Sequence, residues 1–131
     1  MDLNKWRDFA HGIAYTVDRN RAHISLVLKK NRLVAVGTNE FKTHPMTQQY
    51  GYILPYMHSE LDAYRKIKRV GHTGLTLLNF RFSKTGQLGM ARPCKYCTPW
   101  CVHTFDNIIY SDEKGVMREF NVQDSLPSVQ G

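Results

Sequence analysis

All three cysteines of the chain lie within the short stretch ARPCKYCTPWC, at Cys94, Cys97 and Cys101. An odd number of cysteines argues against a framework of disulfides, because at least one thiol has no partner to pair with. Three interpretations remain for the cluster: a redox pair in the C-x-x-C of Cys94 and Cys97, a structural metal site, or part of a reaction centre. The residues elsewhere in the sequence decide among them.

A histidine and a glutamate in HSE, His58 and Glu60, precede the cysteines along the chain. Together with PCKYC they complete the pattern H-x-E followed by P-C-x-x-C, which is the signature of zinc deaminases. A catalytic zinc takes three protein ligands and leaves its fourth position for water, and His58, Cys94 and Cys97 would supply the three. Glu60 can lie beside such a metal without binding it, which suits the carboxylate to general acid and base catalysis.

The redox and structural interpretations of the cysteines have less support in the sequence. A thioredoxin-like unit carries its C-x-x-C after the first strand, whereas Cys94 and Cys97 come late in this chain. A purely structural zinc site does not need Glu60. Both patterns together, each at a predicted helix start, favour a catalytic site.

Size and composition fit a single domain, 1–131, with a hydrophobic core. The 131 residues are 42% hydrophobic and 22% charged, and no apolar run is long enough to span a membrane. The first residues are charged and amphipathic and lack the apolar stretch of a secretory signal, so we expect a cytoplasmic protein. The net charge of +7 favours an anionic partner, such as a nucleotide phosphate or nucleic acid, and is equally compatible with a lysine-rich soluble surface.

Hydrophobic periodicity predicts the element order α-β-β-α-β-α-β-β. The predicted elements are a helix at 1–18, strands at 23–30 and 32–39, a helix at 58–70, a strand at 75–82, a helix from Pro93, and strands at 107–111 and 116–122. Strands mixed with helices in this order predict an α/β fold with one sheet covered by helices. The tight turn DEKG leaves no room for a crossover helix between the last two strands, which are therefore expected to be antiparallel.

The cysteine segment is predicted to be a helix that begins at Pro93, because proline fits the first helical position. Pro99 then falls inside this helix, where it costs about 3 kcal/mol unless the helix is kinked. Cys101 lies one turn beyond Cys97 and would close the fourth coordination position if it bound the metal. Because Glu60 needs that position to stay open for water, we assign Cys101 to packing.

At these residues the chain resembles the cytidine deaminase-like superfamily, and the resemblance covers nearly the whole length. It implies a three-layer α/β fold, with a five-stranded mixed sheet flanked by helices, and a homo-oligomer. It also implies hydrolytic deamination with one Zn²⁺ per chain, held by His58, Cys94 and Cys97, and Glu60 as the catalytic residue. VAVGTN is similar to the family's second strand, which ends in an asparagine that contacts the sugar. Asn39 is therefore implied as a substrate residue, and a turn residue after a strand is the alternative.

Three further side chains are candidates for substrate binding. His44 lies in the segment 40–57, predicted to be a loop that rims the pocket, and could contact the base or a phosphate. An exposed loop histidine is the alternative. Arg92 and Lys95 flank the first cysteine and are the best candidates for meeting a phosphate.

Different features of the resemblance support different substrate classes. A hairpin after the fourth strand and the tail NVQDSLP resemble free-nucleoside cytidine deaminases, whereas a histidine as first zinc ligand, His58, is found in deoxycytidylate and tRNA deaminases. We therefore expect a small-molecule substrate, either cytidine or deoxycytidine or a monophosphate of one of them, and the basic charge favours the monophosphate. One alternative is a polynucleotide deaminase, for which no basic track with stacking aromatics is evident. The other is a non-catalytic binding protein with a structural zinc.

Overall fold

The computed structural model describes residues 1–16, 21–39, 58–67, 73–94 and 97–120. These ranges contain three helices and five strands. In chain order they are α1 (Leu3–Ala14), β1 (Arg21–Lys29), β2 (Arg32–Thr38), α2 (Ser59–Lys66), β3 (Leu75–Ser83), α3 (Thr98–Thr104), β4 (Asn107–Ser111) and β5 (Met117–Glu119). Within these ranges the predicted element order is confirmed, and the predicted loop at 40–57 lies outside them. Of the helices in these ranges, none has the length and apolarity needed to cross a membrane.

The strands form one mixed sheet in the order β2-β1-β3-β4-β5. β1 pairs antiparallel with both β2 and β3, whereas β3 and β4 are parallel. The parallel pair needs a long connection, which contains α3. β4 and β5 are antiparallel and are joined by a tight turn in which Gly115 has a φ of +80°. The predicted mixed sheet and its antiparallel last pair are confirmed.

Alternation along the strands divides the apolar residues between the two faces of the sheet. On one face α1 covers a buried cluster that includes Trp6, Ala10, Ile24, Leu26, Leu28, Leu78, Phe80 and Phe82. On the other face α2 and α3 cover a cluster that includes Val27, Leu61, Ile67, Leu75, Leu77, Cys97, Cys101 and Phe105. Helices therefore cover both faces of the sheet, which gives the three layers that the family resemblance implies.

The start of α2 is fixed by close contact with β2. Gly37 lies so near to α2 that a Cβ atom there would collide with the Ser59 carbonyl oxygen and lie 2.5 Å from the Ala63 nitrogen. The next residue, Thr38, donates its N–H to Oδ2 of the buried Asp62 at 3.0 Å. These two contacts hold the first turn of α2 against the end of β2 and so fix the position of the side chains on that turn.

The cysteine helix begins later than the sequence predicts. α3 starts at Thr98 with Cys97 as its N-cap residue, so the predicted start at Pro93 is wrong. Pro99 therefore stands in the first turn, where a missing N–H costs nothing, and the expected penalty for an interior proline does not arise. Ahead of α3, the carbonyl of Cys94 accepts the N–H groups of Cys97 at 3.1 Å and Thr98 at 2.9 Å. The two cysteines of C-x-x-C thus belong to a hydrogen-bonded turn that leads into the helix.

Candidate active site

His58 and Glu60 stand at the start of α2. His58 is the N-cap residue, with extended backbone (φ −75°, ψ 149°), and its carbonyl accepts the N–H of Asp62 at 2.9 Å. Glu60 is in the first turn, whose position the contacts with β2 define. The H-x-E pattern therefore places one side chain just before the helix and the other on it.

His58, Cys94 and Cys97 come together between α2 and the turn before α3. Nδ1 of His58 lies 3.5 Å from Sγ of Cys94 and 3.6 Å from Sγ of Cys97. One ligand atom from each of the three residues lies within 4.8 Å of the other two. Cys97 is buried, while His58 and Cys94 are half-buried. This group, which we call the ligand group, could hold a metal ion.

Glu60 is buried directly beside the ligand group. Its carboxyl group is hydrogen-bonded to the Cys97 thiol, and Oε1 lies 2.9 Å from Oγ of Ser59, which donates to it when the carboxyl is ionised. Burial raises the pKa of Glu60, although the hydrogen bonds from Cys97 and Ser59 and the charge of His58 oppose the change. A carboxyl group with a raised pKa releases its proton less readily than an ordinary glutamate, which suits it to take a proton, hold it and pass it on.

The ionisable side chains of the ligand group hold protons that a bound metal ion would have to displace. Burial raises the pKa of Cys97, as do its hydrogen bond with Cys94 and the charge of Glu60. For His58, burial by itself lowers the pKa. The hydrogen bond with Cys94 and the charges of Cys94 and Glu60 raise it by more, so the pKa of His58 lies above its usual value. Thiols with raised pKa hold their protons at neutral pH, and a divalent ion that binds thiolate must displace them.

Cys101 lies deeper in the same layer. It is fully buried in the cluster between α2, α3 and the sheet, and burial raises the pKa of its thiol well above the usual value. Its N–H donates to the Cys97 carbonyl at 2.9 Å, within the helix. The ligand group found among the described residues does not include it, in agreement with its expected role in packing, which remains a prediction.

A row of buried polar groups runs from Glu60 into the sheet, and the sequence analysis missed it. Oγ of Ser59 lies 2.8 Å from Oγ of Ser25 on β1, which lies 2.6 Å from Oδ1 of Asn79 on β3. Nδ2 of Asn79 donates to the Ala91 carbonyl at 3.3 Å. A sequence indication did exist, because Ser25 and Asn79 are polar residues inside the apolar strands HISLVLK and LTLLNFRF.

The number of protons in this row favours a protonated Glu60. Three oxygen–oxygen contacts join Glu60, Ser59, Ser25 and Asn79, but the two serine hydroxyls carry only one proton each. Asn79 donates its amide N–H to Ala91, so its amide oxygen faces Ser25 and can only accept there. Three hydrogen bonds need three protons, and the third is present only when the Glu60 carboxyl is protonated. The proton count favours the protonated carboxyl, whereas donation from Ser59 to the ionised carboxyl lowers its pKa, so what the row fixes is the position of Glu60.

Asn39, the predicted sugar contact, extends the pairing of β1 and β2. Its Oδ1 accepts the N–H of His23 at 3.0 Å, and its own N–H donates to the His23 carbonyl at 3.3 Å. These bonds fit the alternative that Asn39 is a residue that ends a strand. The contact with a sugar stays a prediction.

The structure places one of the three remaining candidates for substrate binding. Arg92 is exposed, and its guanidinium group lies 4.8 Å from the centre of the Phe120 ring. Its contact with a phosphate stays a prediction. His44 and Lys95 lie outside the described residues.

Comparison with known proteins identifies the fold. No family model and no curated protein matches the sequence. Among solved structures, cytidine deaminase from Mycobacterium leprae aligns with a TM-score of 0.61 at 15% identity over 98% of this chain and 99% of that one. A mutant cytidine deaminase from Mycobacterium tuberculosis aligns with a TM-score of 0.60 at 18% identity, over 100% of this chain and 99% of that one. The dCMP deaminase of cyanophage S-TIM5, in complex with dCMP and dUMP, aligns with a TM-score of 0.59 at 15% identity, over 85% and 81%.

These neighbours confirm the predicted resemblance at the level of the fold. The cytidine deaminases share the fold over nearly the whole of both chains, and the dCMP deaminase shares it over 85% of this chain. The chain has the fold of these cytidine and dCMP deaminases.

Proposed function

We propose that this chain is a zinc-dependent hydrolytic deaminase that converts the cytosine of a free nucleotide or nucleoside into the uracil form and releases ammonia. The observation that carries the proposal is the carboxyl group of Glu60 beside the ligand group, within the fold of cytidine and dCMP deaminases.

The donor set and its spacing fit zinc. Zinc is held by imidazole and thiolate, and bonds of about 2.0–2.1 Å to nitrogen and about 2.3 Å to sulfur at the tetrahedral angle separate the two donors by about 3.5 Å. The Nδ1 of His58 lies 3.5 Å from Sγ of Cys94 and 3.6 Å from Sγ of Cys97. These three residues would hold one zinc per chain. When bound, zinc would supply the Lewis acidity that makes water nucleophilic at neutral pH.

Glu60 would move the protons of the reaction. In the overall hydrolysis a C–O bond replaces the C–N bond at C4 of the cytosine ring, one water is consumed, and the amino group leaves as ammonia. The Glu60 carboxylate takes a proton from the attacking water and gives it to the ring nitrogen. It then takes the remaining proton from the new hydroxyl group at C4 and gives it to the amino group, which leaves as ammonia while C4 becomes a carbonyl carbon. The raised pKa of Glu60 lets the carboxyl hold each proton between taking it and giving it away.

The proposed substrates are free cytosine nucleosides and their monophosphates. The antiparallel β4–β5 pair resembles the free-nucleoside branch, while His58 as a ligand resembles the deoxycytidylate branch. Within this class we favour the monophosphate, because the net charge is +7 and basic residues flank Cys94. The similarity to a structure that holds dCMP and dUMP supports the same choice.

An assay of ammonia release from a panel of substrates tests the function. The zinc-loaded protein is given cytidine, deoxycytidine, CMP, dCMP and a cytosine-containing single-stranded oligonucleotide. We expect release from the free substrates, fastest from a monophosphate. Release from the oligonucleotide alone would replace the proposal with polynucleotide deamination, and zinc binding without any release would indicate a structural metal. Light scattering on the same sample tests the proposed homo-oligomer.

A further inference from the structure

We propose that Ser25 and Asn79, on the two central strands, are positioning residues for Glu60 and act on it through Ser59. The expected effect on turnover rests on the proposed deaminase function. The arrangement itself rests on contacts among residues that are all buried, with 0% exposure for Ser25 and 2% for Asn79 and Ser59.

The two strand residues form a polar pair in an apolar layer. Ser25 and Asn79 are register partners across β1 and β3, on the face that α2 covers. The next register pair on this face, Val27 and Leu77, is apolar and fully buried. A polar pair at such a position costs free energy unless its groups are hydrogen-bonded. The adjacent pair on the other side, His23 and Arg81, is only half-buried. Since an apolar pair would fill the buried layer as Val27 and Leu77 do, a buried polar pair calls for an explanation beyond packing.

The row joins the two segments of the chain that carry the site. At one end Ser59 reaches Oε1 of Glu60 at 2.9 Å, in the first turn of α2. At the other end Asn79 donates to the carbonyl of Ala91, in the segment that leads to Cys94. Ala91 is itself held, because its N–H donates to the main-chain carbonyl of Ser111 in β4 at 2.8 Å, a bond in which the Ser111 side chain takes no part. The sheet thus fixes the position of the carboxyl relative to the cysteine segment.

This connection matters because proton transfer depends on precise placement. A general acid or base must stay within hydrogen-bonding distance of the atoms it serves, and catalytic groups tolerate displacements of only about 0.5 Å. Without Ser25, the Ser59 hydroxyl loses its contact with the sheet, and Glu60 loses its indirect anchor. The hydrogen bonds of the Ser25 hydroxyl go to Ser59 and Asn79, so its effect on Glu60 passes through Ser59.

The first test compares two buried serines in the zinc-loaded protein. In Ser25→Ala we expect kcat to fall by about 10-fold or more, with KM and zinc content unchanged. Ser111→Ala is the matched control, because Ser111 is also fully buried and donates to the Gly89 carbonyl at 2.6 Å, but lies outside the row. It should keep kcat. The double variant Ser25→Ala/Ser59→Ala should lose no more than Ser59→Ala alone, because both substitutions break one row.

The second test does not depend on activity. Urea unfolding of single and double variants measures whether Glu60→Gln has the same effect on stability in the presence and absence of Ser25. We expect the effect of Glu60→Gln to change in the Ser25→Ala background and to stay the same in the Ser111→Ala background. If Ser25→Ala does not fold, Ser59→Ala replaces it, since alanine is favourable in a helix.

The outcomes separate this proposal from the proposed function. Absence of deamination by the parent protein would refute the function, and the unfolding measurements would still decide the role of Ser25. Additive effects of Ser25→Ala and Glu60→Gln on stability would overturn the positioning role. So would a kcat of Ser25→Ala equal to that of Ser111→Ala.

Discussion

Nδ1 of His58 lies 3.5 Å from Sγ of Cys94, although the two residues belong to different segments of the chain. His58 caps α2, whose first turn is held by Gly37 and Asp62 against the end of β2. Cys94 precedes α3, in the connection that leads from β3 to its parallel neighbour β4. The fold therefore builds the ligand group from two helix starts that meet on one face of the sheet.

Substitution of the cysteines should separate metal ligands from packing. We expect Cys94→Ser and Cys97→Ser to lose zinc and turnover, because each removes a thiolate ligand. Cys101→Ala should keep one zinc per chain and lose on the order of 1 kcal/mol of stability from the small cavity it leaves. Zinc analysis by atomic absorption, together with urea unfolding, distinguishes the variants. Loss of zinc from Cys101→Ala would indicate a closed structural site with three thiolates.

Substitution of Glu60 should separate catalysis from metal binding. Glu60→Gln keeps the shape of the side chain but cannot accept the proton of water, so turnover should fall by about 10²–10⁴ while zinc remains bound. Glu113→Gln is the control, because Glu113 is exposed in the turn before β5. Both variants are assayed for ammonia release and zinc content. Normal turnover by Glu60→Gln would refute the assigned role of this carboxyl.

The contact of β2 with α2 should not tolerate a methyl group at Gly37. A Cβ atom there would meet backbone atoms of Ser59 and Ala63, which cannot move alone, so Gly37→Ala should destabilise the protein by about 1–3 kcal/mol. Because α2 carries His58, zinc affinity should fall as well.

A second glycine provides the control for this substitution. Gly12 lies in α1, and nothing lies within 4 Å of a Cβ atom there. Gly12→Ala should therefore stabilise the protein by about 0.5–1 kcal/mol. Urea unfolding measures both variants. Equal stability of Gly37→Ala and the parent protein would show that α2 can move away from β2 at little cost.

The turn between β4 and β5 should contribute stability that depends on pH. The hydrogen bond from Arg118 lowers the pKa of Asp112, and the N–H groups of Val116 and Lys114 add to the effect. A carboxyl group with a folded pKa below its unfolded value of about 3.9 stabilises the fold above that pH and loses the contribution in more acidic solution. The stability lost in Asp112→Asn should therefore be largest above about pH 4 and shrink as the pH falls through the folded pKa. Urea unfolding from pH 7 to pH 3 measures the difference, and a constant difference would contradict the pairing with Arg118.

The sequence predicts the elements and the ligand group well, because both depend on local patterns. The turn DEKG is too short for a crossover, so the antiparallel pairing of the last strands follows from length alone. The start of α3 does not follow, because Pro93 and Pro99 each fit the first turn of a helix and the sequence offers no means of choosing between them. In the structure it is Pro99 that lies in the first turn of α3.

The row from Glu60 to the sheet could not be predicted from the sequence in the same way. Ser25 and Asn79 meet only because β1 lies next to β3 in one particular register, and periodicity does not reveal which strands pair or how they align. Each residue by itself is one polar position in an apolar strand. Their shared contact with Ser59 becomes visible only when the three elements are assembled.

The most direct test of the central claim is a zinc titration of the metal-depleted protein with ammonia release as the readout. With dCMP, CMP, deoxycytidine and cytidine supplied in parallel, we expect release from at least one substrate to rise in proportion to bound zinc and to stop rising at one zinc per chain. Glu60→Gln should bind the same zinc and release almost no ammonia. Saturation of the parent protein at one zinc per chain, with no ammonia released from any of the four substrates, would contradict the proposed function.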